Sequence, residues 1–556
     1  MVRLRCGAAS TAMRGLPVAL LLAAWTPTGI ASEPAATTPS LPGDADLEAQ
    51  AARIGSVTIR IDPIFDPEKP GERKALYQLA DRWHIDTRES SIEKQLLFQT
   101  GDPYSRRILD ETERNLRHLR FIQEPVISAV AFHDGLVDLE VAVHDVWTTN
   151  PGLSFRRTGG ENSTGIRLEE LNVLGLGKQI AIAYHDNVDR STYELGWHDP
   201  NVWGSRWQDT VTLTDSDDGA GESVELVRPF YSLDSRWTVG ISYVHDDAIQ
   251  DVYRLGESIA EYREDAHDAD IHFGWSKGLR NGWTRRWYAG MRHEEARFSE
   301  VPDSTAPTTL PADRDLNYPF LRLEAIQDDF ETAHDLNLIS RTEDLYFGKH
   351  YSLELGWAAT AYGSDRDAAV LRADASRGYR LGAGQSLFLG SWLSGRLEDG
   401  SLKDTLLSSR LRYYRQTSPR SKFFASLSGD LGHDLDADHE LVLGGEEGLR
   451  GYPLRYQTGD TRALLTIEQR IYTRYSLWKL ADIGGAVFFD MGRTWGESAF
   501  GPTLSQGMLK DIGVGLRLGS TRSALGNILH LDVAFPLDGD SSISSMQFLV
   551  QTKGSF

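Results

Sequence analysis

Few residues of this chain are spaced for covalent chemistry. It holds no G-x-S-x-G and no H-E-x-x-H, and "GLGKQ" at 175–179 lacks the frame of a phosphate-binding loop. "RHEEARF" at 292–298 has adjacent carboxylates but no second histidine at metal spacing, so it reads as a solvated strand end. Glu446 and Glu447 could be drawn as an acid/base pair. Adjacent strand residues point to opposite faces, however, and Arg450 offers both a structural partner. No enzyme activity, cofactor or metal centre is expected. The sharper feature is "LGGEEGLRGYPLRYQTGD" at 443–460, where one arginine stands between glycines and an aromatic residue. A charge so tightly framed suits a confined place in which it must be paired, because an unpaired buried charge is costly. Acidic stretches, "DSDDGAG", "HDDAIQD", "EYREDAHDAD" and "GHDLDADHE", read as solvated loops, with binding of divalent cations near lipopolysaccharide as the alternative.

The elements that must position Arg450 are β-strands. The 556-residue chain opens with a basic stretch (Arg3, Arg5, Arg14), the short apolar run "GLPVALLLAAW" and "GIA" before Ser32. That predicts a cleaved secretory signal over 1–31. Cys6 lies before the apolar run, so the mature chain has no cysteine and no disulfide. Losing three arginines and no acid takes the formal charge from −22 to −25, which argues against nucleic-acid binding. Mean hydropathy is −0.37 and no helical membrane span is legible, but a transmembrane barrel also has a soluble-looking mean.

Residues 32–52 read as a linker. From Arg53 to about 148 the pattern is mixed: "IGSVTIRI" as a strand, "SIEKQLLFQ" and "SRRILDETERNLRHLR" as helices, then two strands joined at His133-Asp134-Gly135. Leu109, Thr112, Leu116 and Leu119 make one helix face, Ser105 is a candidate N-cap, and 62–90 reads as an insertion. From 149 to 556 strands follow one another with short Gly/Asn/Asp turns. So large a sheet is expected to close, since an open one exposes edges. In "AVFFDMG", Val487, Phe489 and Met491 share one face, and Phe488 and Asp490 the other; in "LHLDVAFPL", Leu531, Val533 and Phe535 oppose His530, Asp532 and Ala534. With 14 Trp, 20 Tyr and a terminal Phe556 as an assembly signal, the expected fold is a mainly β transmembrane antiparallel barrel behind one small α+β domain.

These motifs resemble the BamA/TamA family of outer-membrane proteins, in which periplasmic POTRA domains precede a barrel. "GLRGY" at 448–452 is similar to the family's Arg-Gly-Tyr/Phe loop, "VFFDMG" at 487–492 to its Phe-x-Asp-x-Gly strand, and "DIGVGLRL" and "HLDVAFPL" to the next two strands. "NVLGLGKQ" and "WHDPNVWG" resemble its first periplasmic turns, and 53–148 resembles one POTRA domain. The resemblance implies 16 strands, whereas counting the sequence gives about 20. It also implies a loop folded into the lumen, with Arg450, Gly451 and Tyr452 as its motif and the inward-facing Glu468 and Asp490 as its partners. The function implied is insertion, assembly or translocation of polypeptides in a Gram-negative outer membrane. Lipid and lipopolysaccharide surround the barrel, extended clients dock on the periplasmic POTRA unit, and a periplasmic or lipoprotein partner is expected. The alternative is a passive channel or structural barrel with a periplasmic anchor.

Overall fold

The computed structural model describes residues 41–65, 84–478, 480–501, 507–521 and 528–553. The stretch 1–31 expected to be a leader, most of the 62–90 stretch and Phe556 lie outside them.

The N-terminal unit is a three-stranded sheet under helices. Strand Arg53–Asp62 runs parallel to Leu136–Asp145, which pairs antiparallel with Ile122–His133. Asp134 and Gly135 turn the hairpin with φ of 48° and 76°, the left-handed pair that a tight hairpin needs. Helix Arg106–Arg117 buries Leu109, Thr112 and Leu116 as its spacing predicts, whereas Leu119 lies beyond the helix end and is only partly buried. Ser105 has extended backbone but makes no side-chain cap; Glu48 instead accepts the Arg106 N–H at 2.8 Å. Glu48 belongs to a short helix, Asp44–Ala49, within the stretch read as linker, and that helix sends Leu47 into the core. Of "SIEKQLLFQ" only the start is helical, in Glu89–Glu93. Leu96 and Phe98 are both buried, and residues two apart cannot share a helix face.

Twenty strands, from Thr149–Thr158 to Gln547–Lys553, form one closed barrel in which each strand pairs with its sequence neighbour. The count is therefore 20, as the turns suggest, and not the 16 implied by resemblance. Turns as tight as Leu255-Gly256 and Asp399-Gly400 separate strands of up to 24 residues. The outer face carries apolar rows across neighbouring strands: Val487, Val514, Val533 and Phe548 in one register, Ile241, Ile271 and Met291 in another. Trp237, Trp275 and Trp287 stand side by side toward the end that carries the N-terminal unit, here the proximal end. An apolar outer face with an aromatic edge suits a barrel in lipid. No described helix is long and apolar enough to cross a membrane, which says nothing of strands. The inner face is charged: Glu354 alone takes Arg292 at 2.8 Å, Arg322 at 2.5 Å and Arg372 at 3.2 Å.

The acidic stretches are not all loops. "HDDAIQD" and "EYREDAHDAD" lie inside strands Trp237–Arg254 and Glu257–Arg280. Strands of 18 to 24 residues exceed the roughly 9–11 needed to cross a bilayer, so part of their length carries polar side chains on the outside.

Closure is thin at one place. Among the described residues, the first and last strands meet through a single residue pair, Val550 opposite Arg157, backed by Gln551 Nε2 donating to Thr158 at 2.7 Å. Each of the other nineteen ladders runs over seven pairs or more.

Candidate functional site: a lumen closed from both ends

Residues 434–460 leave the distal end of strand Ser421–His433 and fold into the barrel. A two-stranded ribbon, Leu441–Leu443 with Gln457–Gly459, holds the loop's base. At its tip Leu449, Tyr452 and Tyr456 pack with Leu443 and Leu509. This small apolar core keeps the arginine between them in place.

Arg450 is 5% exposed. It donates to both oxygens of Asp490, at 2.7 and 3.0 Å, and to Glu468 Oε1 at 2.9 Å. Asp532 stands 3.6 Å away, and the guanidinium lies 3.4 Å over the Phe488 ring. Burial alone would favour the neutral form, but Asp490 and Glu468 push its pKa up, so the side chain stays charged. Planar, forked hydrogen bonding of this kind is specific to guanidinium. Gly451 donates its N–H to Asp511 at 3.0 Å, and a Cβ there would lie 2.7 Å from the Asp511 Cβ. Tyr452 is fully buried, with its hydroxyl 2.7 Å from the Lys510 carbonyl. The loop also reaches across the barrel: Arg455 forks onto Asp189 at 2.7 and 2.8 Å.

Arg450, Gly451, Tyr452, Glu468 and Asp490 thus lie together around the loop tip. Glu446 and Glu447 do not join them: Glu446 pairs with Arg156 at 2.8 Å, and Arg450 serves neither. Glu294 and Glu295 of "RHEEARF" diverge to opposite faces, toward Arg372 and Arg297. Asp511, Arg517 and Asp532 are further buried members of the cluster, and period-two alternation places each of them inward.

A second segment closes the other end. Between strands Arg314–Gln327 and Lys349–Ala358 the chain makes a hairpin, Phe330–His334 with Thr342–Tyr346, whose tip enters the lumen. Leu336 packs on Tyr414 and Phe424 of the inner wall, and Ile339 on Tyr472, Ala486 and Ile528. Lys422 donates to the carbonyl of His334 at 2.6 Å. The N-terminal unit grips the stem: Arg117 forks onto Asp344 at 2.7 and 2.8 Å, and Arg114 lies 4.0 Å over Phe330. A cavity of about 870 Å³ remains between hairpin and wall, lined by polar and apolar groups together, among them Arg410, Arg412, Leu336 and Phe388. No motif in "ETAHDLNLISRTEDLY" announces this hairpin.

The two closures meet. Glu468 gives one oxygen to Arg450 and the other to Arg470 Nε, at 2.9 Å each. Arg470 in turn donates to the Leu336 carbonyl at 3.1 Å and lies 3.9 Å over Phe424.

The fold and site define a closed twenty-stranded barrel shut by its own segments. No family model and no curated protein matches the chain. Among solved structures it is similar to CdiB from Acinetobacter baumannii, at 12% identity and a TM-score of 0.45, over 91% of this chain and 74% of that one. CdiB from Escherichia coli aligns at 12% identity and 0.46, over 90% and 76%. BamA from Haemophilus ducreyi lacking POTRA domains 1–3 aligns at 12% and 0.37, over 90% and 85%. At such scores the architecture rests on the strand pairing described above.

Proposed function

We propose that the protein is a gated barrel of a Gram-negative outer membrane that assists polypeptides in insertion, assembly or translocation. The N-terminal unit acts as a periplasmic POTRA domain. It offers strand Ile122–His133, the sheet edge on which Val126 and Val130 are exposed, to extended clients by β-augmentation. The observation that carries the reading is the double closure joined at Glu468. A passive pore has no use for a lumen filled from both ends, or for a plug clasped by its own soluble domain. The single-pair seam supports the same reading, because unpaired strand edges are where another strand adds. No catalytic step and no cofactor enter this function.

The test is conductance of the purified protein in planar bilayers, beside cross-linking to clients in intact envelopes. Small, flickering currents and cross-links through the N-terminal unit are expected. Large steady pores, with no polypeptide captured, would favour the passive channel instead.

A further inference from the structure

Outside the lumen, one row of side chains has the composition and geometry of a metal site. On the outer face, in the direction away from the tryptophan row, Glu222, His245, His267 and Glu295 stand opposite one another on four consecutive strands. Asp265, two residues before His267, lies on the same face. His245 is eight residues beyond Trp237, on the order of 26 Å along the strand at about 3.3 Å per residue. That carries it past Ile241, the exposed apolar position, to the distal border of the apolar surface, where water and hydrated headgroups reach a barrel.

Both Nε2 atoms converge on one carboxylate oxygen: His245 Nε2 lies 3.0 Å and His267 Nε2 3.2 Å from Asp265 Oδ1. The imidazole rings are stacked, with centroids 4.2 Å apart and planes 1° from parallel. Tetrahedral ligands about 2.0–2.1 Å from a zinc ion are separated by roughly 3.3 Å, so these spacings already match a coordination edge. The other ring nitrogens have partners of the kind that orient a ligating histidine. His267 Nδ1 is 3.1 Å from the Tyr243 hydroxyl, and His245 Nδ1 is 3.9 Å from Glu222. Nearby cations are engaged elsewhere: Arg263 with Asp247, and Arg297 with Glu295. Their lone pairs lie in the ring planes, so the two stacked imidazoles turn about their Cβ–Cγ bonds to aim both Nε2 atoms at one ion beside Asp265.

We propose that His245, His267 and Asp265 bind a divalent transition metal of the zinc class, with water completing the coordination. Imidazole nitrogens with a carboxylate select zinc, copper or nickel over magnesium and calcium, which prefer oxygen. Binding would staple strands Trp237–Arg254 and Glu257–Arg280 at the distal rim.

The test uses the full-length folded barrel in detergent, titrated with zinc alone by calorimetry and equilibrium dialysis. One ion per chain is expected, with magnesium and calcium failing to compete. His245→Ala and His267→Ala should each weaken zinc by about tenfold or more, and Asp265→Asn by less. His133→Ala, in the N-terminal unit, should change nothing. Heat-modifiability of every variant on gels confirms that the barrel is intact, and the outward, half-buried position of these side chains keeps the substitutions tolerable. Zinc binding unchanged in the His245→Ala/His267→Ala double variant would overturn the proposal, as would displacement of zinc by calcium at equal concentration.

Discussion

Arg450 and Arg470 hold opposite oxygens of one carboxylate, that of Glu468, each at 2.9 Å. The first arginine belongs to the distal loop and the second reaches the proximal hairpin through the Leu336 carbonyl. Glu468 is therefore the point at which two closures of one lumen share a partner. Because each charge is buried and forked, removing one partner strands the others.

Arg450→Ala and Asp490→Ala should each destabilise the loop by about 3–5 kcal/mol, since each leaves an uncompensated buried charge. The double variant should cost less than the sum of the two. Arg450→Lys should recover little, because an ammonium cannot fork onto Asp490 while also reaching Glu468. Loop cleavage by added protease measures all four. Strict additivity would place Arg450 in solvent.

Gly451→Ala tests the close approach of the loop to the wall. Its Cβ would meet the Asp511 Cβ at 2.7 Å and the Pro536 nitrogen at 3.1 Å, both on the barrel rather than on a flexible tip. A cost of about 1–3 kcal/mol is expected, read as faster loop proteolysis with the barrel still heat-modifiable.

Leu116→Asp places a charge in the core of the N-terminal unit, where Leu116 is fully buried. The loss should be several kcal/mol in order of magnitude. Hydrogen exchange should then show the unit open while the barrel strands stay protected. An unchanged unit would mean that the helix face is wrongly assigned.

The clasp between the N-terminal unit and the hairpin predicts a transmitted effect. Arg117→Ala removes both bonds to Asp344 and leaves that carboxylate without its fork. Asn337→Cys, at the hairpin tip, should then react faster with a thiol reagent. The mature chain is expected to have no other cysteine, so the signal is clean.

Much of this architecture was legible because barrel strands write their period into the sequence. The alternation in "AVFFDMG" and "LHLDVAFPL" fixed which side chains face inward, and Asp490 and Asp532 are where it puts them. Tight turns made the strand count readable, and the count proved a better guide than analogy. The hairpin at 328–348 was not legible, because its burial depends on the concave wall made by Tyr414, Phe424 and Tyr472, with Tyr414 77 positions beyond Asn337 and Tyr472 136 beyond Leu336. The same holds for His245 and His267. In sequence they sit in an acidic run that reads as a loop, and only strand register sets them face to face.

The most direct measurement is the labelling rate of Asn337→Cys in a chain that also carries Arg450→Ala. Asn337 sits on the hairpin, hydrogen-bonded to Tyr414 at 2.9 Å, and the substitution lies in the other closure. If Glu468 and Arg470 join the two, loss of Arg450 should speed labelling by about fivefold or more, the size of a modest coupling energy. Labelling at the parent rate, with the loop itself plainly loosened, would contradict the account and leave two independent plugs.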